Sequence, residues 1–332
     1  MSKTIKSIFP LGFPWQTEDP FLFSVYHLDH YPKGNDQMGP EASLEGRNLG
    51  NDFIVKDGWR MYHGQTIPGF PYHPHRGFET ITIVNKGFCD HSDSLGAAGR
   101  FGQGDVQWMT AGRGVQHSEM FPLLYKDQEN PLELFQIWLN LPSTSKFVDP
   151  HFKMLWHEDI PIVRENQVRI KVIAGDYRGT AAPTPAPDSW AADPKNEVAI
   201  WNIHMDAHSA FTLPKALTEV SRNLYFYEGA ELTIQDEKIK ANHGIGLASR
   251  EDVTIQAGDT TVHFIILQGK PIDEPVVQHG PFVMNTQEEI SATIQDYQLT
   301  QFGGWPWPYA DNVHDREQGR FAKYPDGSLE TK

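Results

Sequence analysis

Two short stretches have residue types and spacing suited to holding a metal ion. They are His73 and His75 on either side of Pro74, and His117 and Glu119 on either side of Ser118. Side chains alternate faces along an extended strand, so residues two apart point the same way. His73 and His75 therefore share one face, and His117 and Glu119 share another. Ile81 and Ile83 follow the first pair at odd parity, and Val115 precedes the second at its own parity. Both pairs then lie on apolar faces, provided that Gly77 does not break the register. Two inward pairs on neighbouring strands bring three imidazoles and one carboxylate together. Imidazole suits zinc, copper, nickel and iron, and histidines plus a carboxylate with open positions form the donor set of non-haem Fe(II) oxygenases.

The elements around these residues read as strands and tight turns. The stretch from Gly104 to Gly114 is a strand followed by a glycine-rich turn that leads directly into His117. Pro74 cannot donate to a sheet ladder, which places the first pair at a strand start or a sheet edge, such as a barrel mouth. Residues 21–31 form an aromatic-rich strand, 33–52 a loop, and 132–141 a nearly continuous apolar run that reads as a buried strand. Further strands are expected at 168–174, 198–205, 224–228, 231–234 and 261–267. Short strands between glycine and proline turns, without a long helix, indicate an all-β sandwich or barrel. One helix is marked near the carboxyl end. Thr286 and Glu289 fit a capping box, Ile290, Ile294 and Tyr297 recur at helical spacing, and Gly303 and Gly304 end it.

The chain of 332 residues has room for two domains. The reading divides it into residues 1–142 with the metal residues, 143–302 including the helix, and a tail, 303–332, that wraps over the surface or frays. The alanine- and proline-rich segment 179–194 reads as a surface insertion rather than a lid.

Composition excludes several classes. With 28 Lys and Arg against 43 Asp and Glu, the net charge of −15 argues against a nucleic-acid partner, whose phosphates need cations. The single cysteine, Cys89, cannot form an internal disulfide and is expected to be a buried small hydrophobe in a reducing compartment. Neither a signal peptide nor a bilayer-length apolar run is read, so a soluble, cytoplasmic protein without membrane contact is expected. His204, Asp206 and His208 mimic ligand spacing but lack the flanking glycine turn, and are expected to bind no metal. Arg113 is either a salt-bridge residue or a charge near the pocket. Phe78, Trp108 and Met109 are expected in the core.

The runs His73–Thr80, Gly104–Glu119 and Gln278–Ile290 together resemble the pirin family of the cupin superfamily, over roughly residues 20–300. The segment 179–194 and the tail after Gly303 look longer than in a typical pirin. The resemblance implies a bicupin, two β-barrel (cupin, jelly-roll) domains face to face with a C-terminal helix. It also implies one metal in the N-terminal barrel only, usually Fe(II), with zinc, nickel, manganese or copper as other divalent occupants. Carried over by motif, the ligands are His73, His75, His117 and Glu119. Many cupins also supply a carboxylate at the place of Glu79. Four strand residues span about 13 Å, so Glu79 reaches the metal only if the chain turns at Gly77, and it is read as an outer residue or proton carrier. The implied activity is quercetin 2,3-dioxygenase-like, with a flavonol-like aromatic substrate and O2. Glu119, or Glu79, would accept the substrate proton. The alternative is a metal- and redox-dependent interaction protein acting through a regulatory protein partner.

Overall fold

The computed structural model describes residues 4–332; Met1–Lys3, where the reading of the amino terminus begins, lie outside the described residues. The chain divides into two compact units that interleave in sequence. One comprises Met1–Val25, Ile137–Pro142 and Glu158–Asp273, and the other Tyr26–Gln136, Ser143–His157 and Glu274–Lys332. These units interleave across the expected boundaries at 142 and 302, and the helix groups with the unit that carries the histidines.

The first unit is built on period-two patterning. In Val168–Ala174 the buried Val168, Ile170 and Val172 alternate with the more exposed Arg169 and Lys171, and in Val253–Ala257 buried and exposed residues alternate throughout. Such strands bury one face each. A seven-stranded antiparallel sheet runs in the order Ile5–Pro10, His243–Leu247, Ser221–Glu228, Val262–Gly269, Ala199–Met205, Val168–Ala174, Ile162–Glu165. A four-stranded sheet contains Ala210–Leu213, Val253–Ala257, Glu231–Ile234 and Glu237–Lys240. Trp201, Ile203, Phe226 and Phe264 from the first sheet meet Phe211, Leu232 and Ile255 from the second in one core. Parts of the surface segment 179–194 wall a cavity in this unit.

The second unit holds a six-stranded sheet in the order Leu329–Thr331, Phe321–Lys323, Ala98–Gly102, Phe88–Asp93, Val115–Met120, Gly69–His75. A five-stranded sheet includes His151–Leu155, Val106–Thr110, Phe78–Lys86 and Asn130–Asn140. Gly77, at φ 86°, makes the turn between the strands Gly69–His75 and Phe78–Lys86, which lie in different sheets. An added Cβ there would meet the Val283 carbonyl oxygen at 2.0 Å, so both conformation and space demand glycine.

The helix Gln287–Thr300 starts with the expected capping box. Glu289 N–H donates to Thr286 Oγ1 (3.1 Å) and Thr286 N–H donates to Glu289 Oε2 (3.0 Å). It stops at Gln301 in the left-handed region, two residues before the expected glycines. Ile290 packs with Phe282, Met284 and Phe302, and Gly114 lies so close to the Phe302 ring that a Cβ would approach it to 2.7 Å.

The tail neither frays nor merely covers the surface. Phe321–Lys323 pairs with Ala98–Gly102 and extends the six-stranded sheet. The cause is Arg100, which is fully buried. Its Nε and Nη2 donate to Asp90 at 2.7 Å, and its other N–H groups need acceptors. Carbonyls of His314, Asp315, Arg316 and Gln318 provide them.

Candidate metal centre

His73 and His117 face each other directly across the antiparallel pair Gly69–His75 and Val115–Met120. The ring centroids lie 4.7 Å apart for His73 and His75, 4.6 Å for His73 and His117, and 4.9 Å for His75 and His117. One nitrogen from each of the three rings falls within 4.8 Å of the others. His73 Nδ1 donates to the Pro71 carbonyl (2.9 Å), which fixes its proton there and leaves the Nε2 lone pair for a ligand. His117 is fully buried and neither of its ring nitrogens has a hydrogen-bond partner.

Burial decides the protonation of these rings. It lowers the His73 pKa to about 4, and lowers His75 and His117 well below 6.5, helped by the neighbouring imidazoles. Neutral imidazole is the metal-binding form. Converging neutral imidazoles, with both His117 nitrogens lacking hydrogen bonds, fit a divalent transition ion.

Glu119 is brought beside this group without joining it. Its Oε2 lies 3.8 Å from His117 Nε2, and the set of atoms within 4.8 Å of one another is confined to the three imidazoles. The Thr82 hydroxyl contacts Glu119 Oε1 at 2.7 Å, and Gln136 Nε2 donates to Oε2 at 2.9 Å. Burial raises the carboxyl pKa, with the Thr82 bond, His91 and Gln136 opposing it. Glu79 is buried and accepts from Thr110 Oγ1 at 2.7 Å, outside the imidazole group.

The turn at Gly77 corrects the parity argument. Thr82, an even-numbered residue of Phe78–Lys86, reaches Glu119, and Phe78 meets the His75 ring edge-on at 5.0 Å. The even face of that strand, and not the face of Ile81 and Ile83, touches the site residues. Sequence reasoning missed Thr82 and Gln136 for this reason. It also missed His91, a buried fourth imidazole 5.4 Å from the His117 ring, stacked on Phe152 and 3.3 Å from Asp93 through Nε2. Its period-two spacing to Asp93 within the strand Phe88–Asp93 was the available signal.

The remaining candidates are bland. Phe78, Trp108, Met109 and Cys89 are buried, and burial raises the Cys89 thiol well above its ordinary range. Arg113 forms an exposed ion pair with Asp149 at 2.9 Å. His204 bonds through Nδ1 to His263 (3.0 Å) and through Nε2 to Asp206 (2.9 Å), while His208 is exposed. The second candidate metal group among the described residues, around Asp105 and His157, already holds a cation, since Arg320 donates to both.

Two strand-built units, one of them carrying imidazoles clustered on adjacent strands, define the bicupin class. The family model for Pirin matches residues 16–139, and that for the pirin C-terminal cupin domain matches residues 200–303. The chain is 37% identical over 239 residues to a provisionally named quercetin 2,3-dioxygenase of Pseudomonas aeruginosa, spanning 70% of this chain and 79% of that one. It is also 37% identical over 253 residues to the pirin of Homo sapiens, spanning 73% and 80%. The chain belongs to the pirin family. A crystal structure of a quercetin 2,3-dioxygenase from Acinetobacter baumannii superposes with a TM-score of 0.68 at 26% identity, over 91% of this chain and 96% of that one. No helix among the described residues is long and apolar enough to cross a membrane.

Proposed function

We propose that the chain holds one Fe(II) at His73, His75, His117 and Glu119 and cleaves flavonols with dioxygen, a quercetin 2,3-dioxygenase-type reaction. The observation that carries this reading is the convergence of three neutral imidazoles, His75 and His117 buried and His73 part-buried, with both His117 nitrogens lacking hydrogen bonds. An unbonded buried polar group is costly, and a metal ion relieves that cost. Likeness to two proteins named for this activity supports the choice of reaction. When bound, the ion supplies Lewis acidity toward the flavonol 3-hydroxyl oxygen and electron exchange with dioxygen.

The chain's own residues handle orientation and the proton. The Pro71 carbonyl holds His73 in one tautomer. Thr82 and Gln136 grip the Glu119 carboxyl, one on each oxygen. The Thr82 hydroxyl has a single proton and lies within 2.7 Å of Glu119 Oε1 and 2.5 Å of Gln136 Oε1. When Glu119 is ionised, that proton points to Oε1. When Glu119 takes a proton from the substrate hydroxyl at Oε1, the new O–H donates to Thr82, whose own proton turns to Gln136. Burial raises the carboxyl pKa, which favours accepting that proton. We assign proton acceptance to Glu119 before Glu79, because Thr110 engages Glu79 outside the imidazole group.

Iron-loaded protein incubated with quercetin under oxygen should release one carbon monoxide and one depside for each O2 consumed. Iron-loaded protein that consumes no O2 and releases no carbon monoxide overturns the reading.

A further inference from the structure

The unit without the histidine cluster contains a cavity of about 680 Å³, within the size range of small-molecule sites. Ala181–Pro185 and Ala191–Pro194 form much of its wall, with Trp201 and Leu217. At its lining lies Arg222, only 2% exposed. Arg222 sits opposite Gln268 in the strand register, and its Nε donates to Gln268 Oε1 at 2.7 Å. Gln268 is itself fixed, because its Nε2 donates to the Glu197 carbonyl at 3.1 Å. The guanidinium is therefore held in place, yet its Nη1 has no hydrogen-bond partner. The indole Nε1 of Trp201, 4% exposed and in the same lining, has none either.

Carboxylates near the cavity do not fill this vacancy. Glu197 accepts from the backbone of Leu217 (2.7 Å) and Thr218 (2.6 Å) and from the Thr218 hydroxyl. Asp176 accepts from Gly179 N–H and Asp193 from Lys195 N–H. Asp176 and Asp193 are spent on local turns and Glu197 on the backbone of a segment twenty residues away. Burial lowers the Arg222 pKa only to about 10, so the group is cationic at neutral pH. A buried cation with an unmet donor, sharing a cavity with an unmet indole N–H and walls of alanine, proline and tryptophan, matches one ligand chemistry.

We propose that this cavity binds a small monocarboxylic acid with an apolar body, its carboxylate on Arg222 Nη1 and Trp201 Nε1 and its hydrocarbon part against the 181–194 wall. The site is separate from the histidine cluster and does not depend on the reaction proposed above.

Benzoate is the probe. Calorimetric titration of the metal-loaded protein should show a saturable site that persists in His117→Ala. Arg222→Met should weaken benzoate at least tenfold, Arg222→Lys less, and Trp201→Phe by a smaller factor. Ala192→Trp, which fills the exposed rim with Arg222 untouched, should also weaken it at least tenfold and serves if Arg222→Met does not fold. Benzamide, of the same shape without the charge, should bind at least tenfold more weakly than benzoate. No saturable benzoate binding by the wild-type chain, equal affinity for benzamide, or unchanged affinity in Ala192→Trp overturns the proposal.

Discussion

The pair His73 and His117 and the pair His204 and His263 are alike in sequence position and opposite in chemistry. Both are imidazoles directly facing each other across an antiparallel ladder. Their ring centroids lie 4.6 and 4.4 Å apart, and each pair has another potential ligand two residues along, His75 in one case and Asp206 in the other. In the second pair the rings bond to each other at 3.0 Å, Asp206 takes the remaining His204 nitrogen, and His204 is 20% exposed. In the first pair His117 bonds to nothing and is sealed from water. Spacing brings both pairs of histidines together; only the first leaves a buried ring whose nitrogens have no hydrogen bond and could take a metal.

The comparison breaks most sharply at His117. In His117→Ala, bound metal should fall below about a tenth of an equivalent, since loss of a ligand exceeds the roughly 10–100-fold weakening seen when only an outer partner is removed. Oxygen consumption should vanish with it. Glu119→Gln keeps the hydrogen-bonding shape and removes the charge, and should weaken metal binding by about 100-fold with the fold intact, as read by competition with a chelator.

Protons provide a third handle. His73, His75 and His117 are neutral in the fold below pH 6.5, where the unfolded chain is protonated. The unfolded state then binds more protons, so metal-free protein should be at full stability above about pH 7 and lose it as pH falls from 6.5 toward 4. Each such imidazole contributes a slope of about 1.4 kcal/mol per pH unit in that window. Urea midpoints at pH 5, 6 and 7 should show a shallower slope in metal-free His117→Ala than in the metal-free wild type; equal slopes would count against neutral burial.

How much of this was legible follows from range. The period-two pairing of His73 with His75 and of His117 with Glu119 is local, as is the capping box of Thr286 and Glu289, and both could be read from neighbours in sequence. The face that Phe78–Lys86 turns to the site depends on Gly77 adopting φ 86°, which no hydrophobic alternation encodes. The Thr82 and Gln136 contacts were hidden with it. Cupin architecture was legible through the resemblance, but the interleaving of units was not, because the helix joins the histidine unit through tertiary contacts, Tyr297 donating to Gln116 and Arg76 pairing with Asp296. The ordered tail was likewise invisible, since its anchor is Arg100, more than 200 residues away in sequence from the carbonyls it binds.

Smaller effects sharpen the comparison. Thr82→Val removes the hydroxyl on Glu119 Oε1 and should weaken metal binding by about tenfold while leaving the three imidazoles in place. His204→Ala should leave metal content unchanged and alter stability by no more than about 1 kcal/mol, because it removes only part-exposed hydrogen bonds.

The central claim is that converging neutral imidazoles around a buried His117 without hydrogen bonds, rather than spaced histidines alone, make the metal site. Elemental analysis of wild type, His117→Ala and His204→Ala, purified side by side, tests it most directly. About one divalent ion per chain in the wild type and in His204→Ala, with almost none in His117→Ala, is the predicted result. Metal retained in His117→Ala, or lost in His204→Ala, would contradict it.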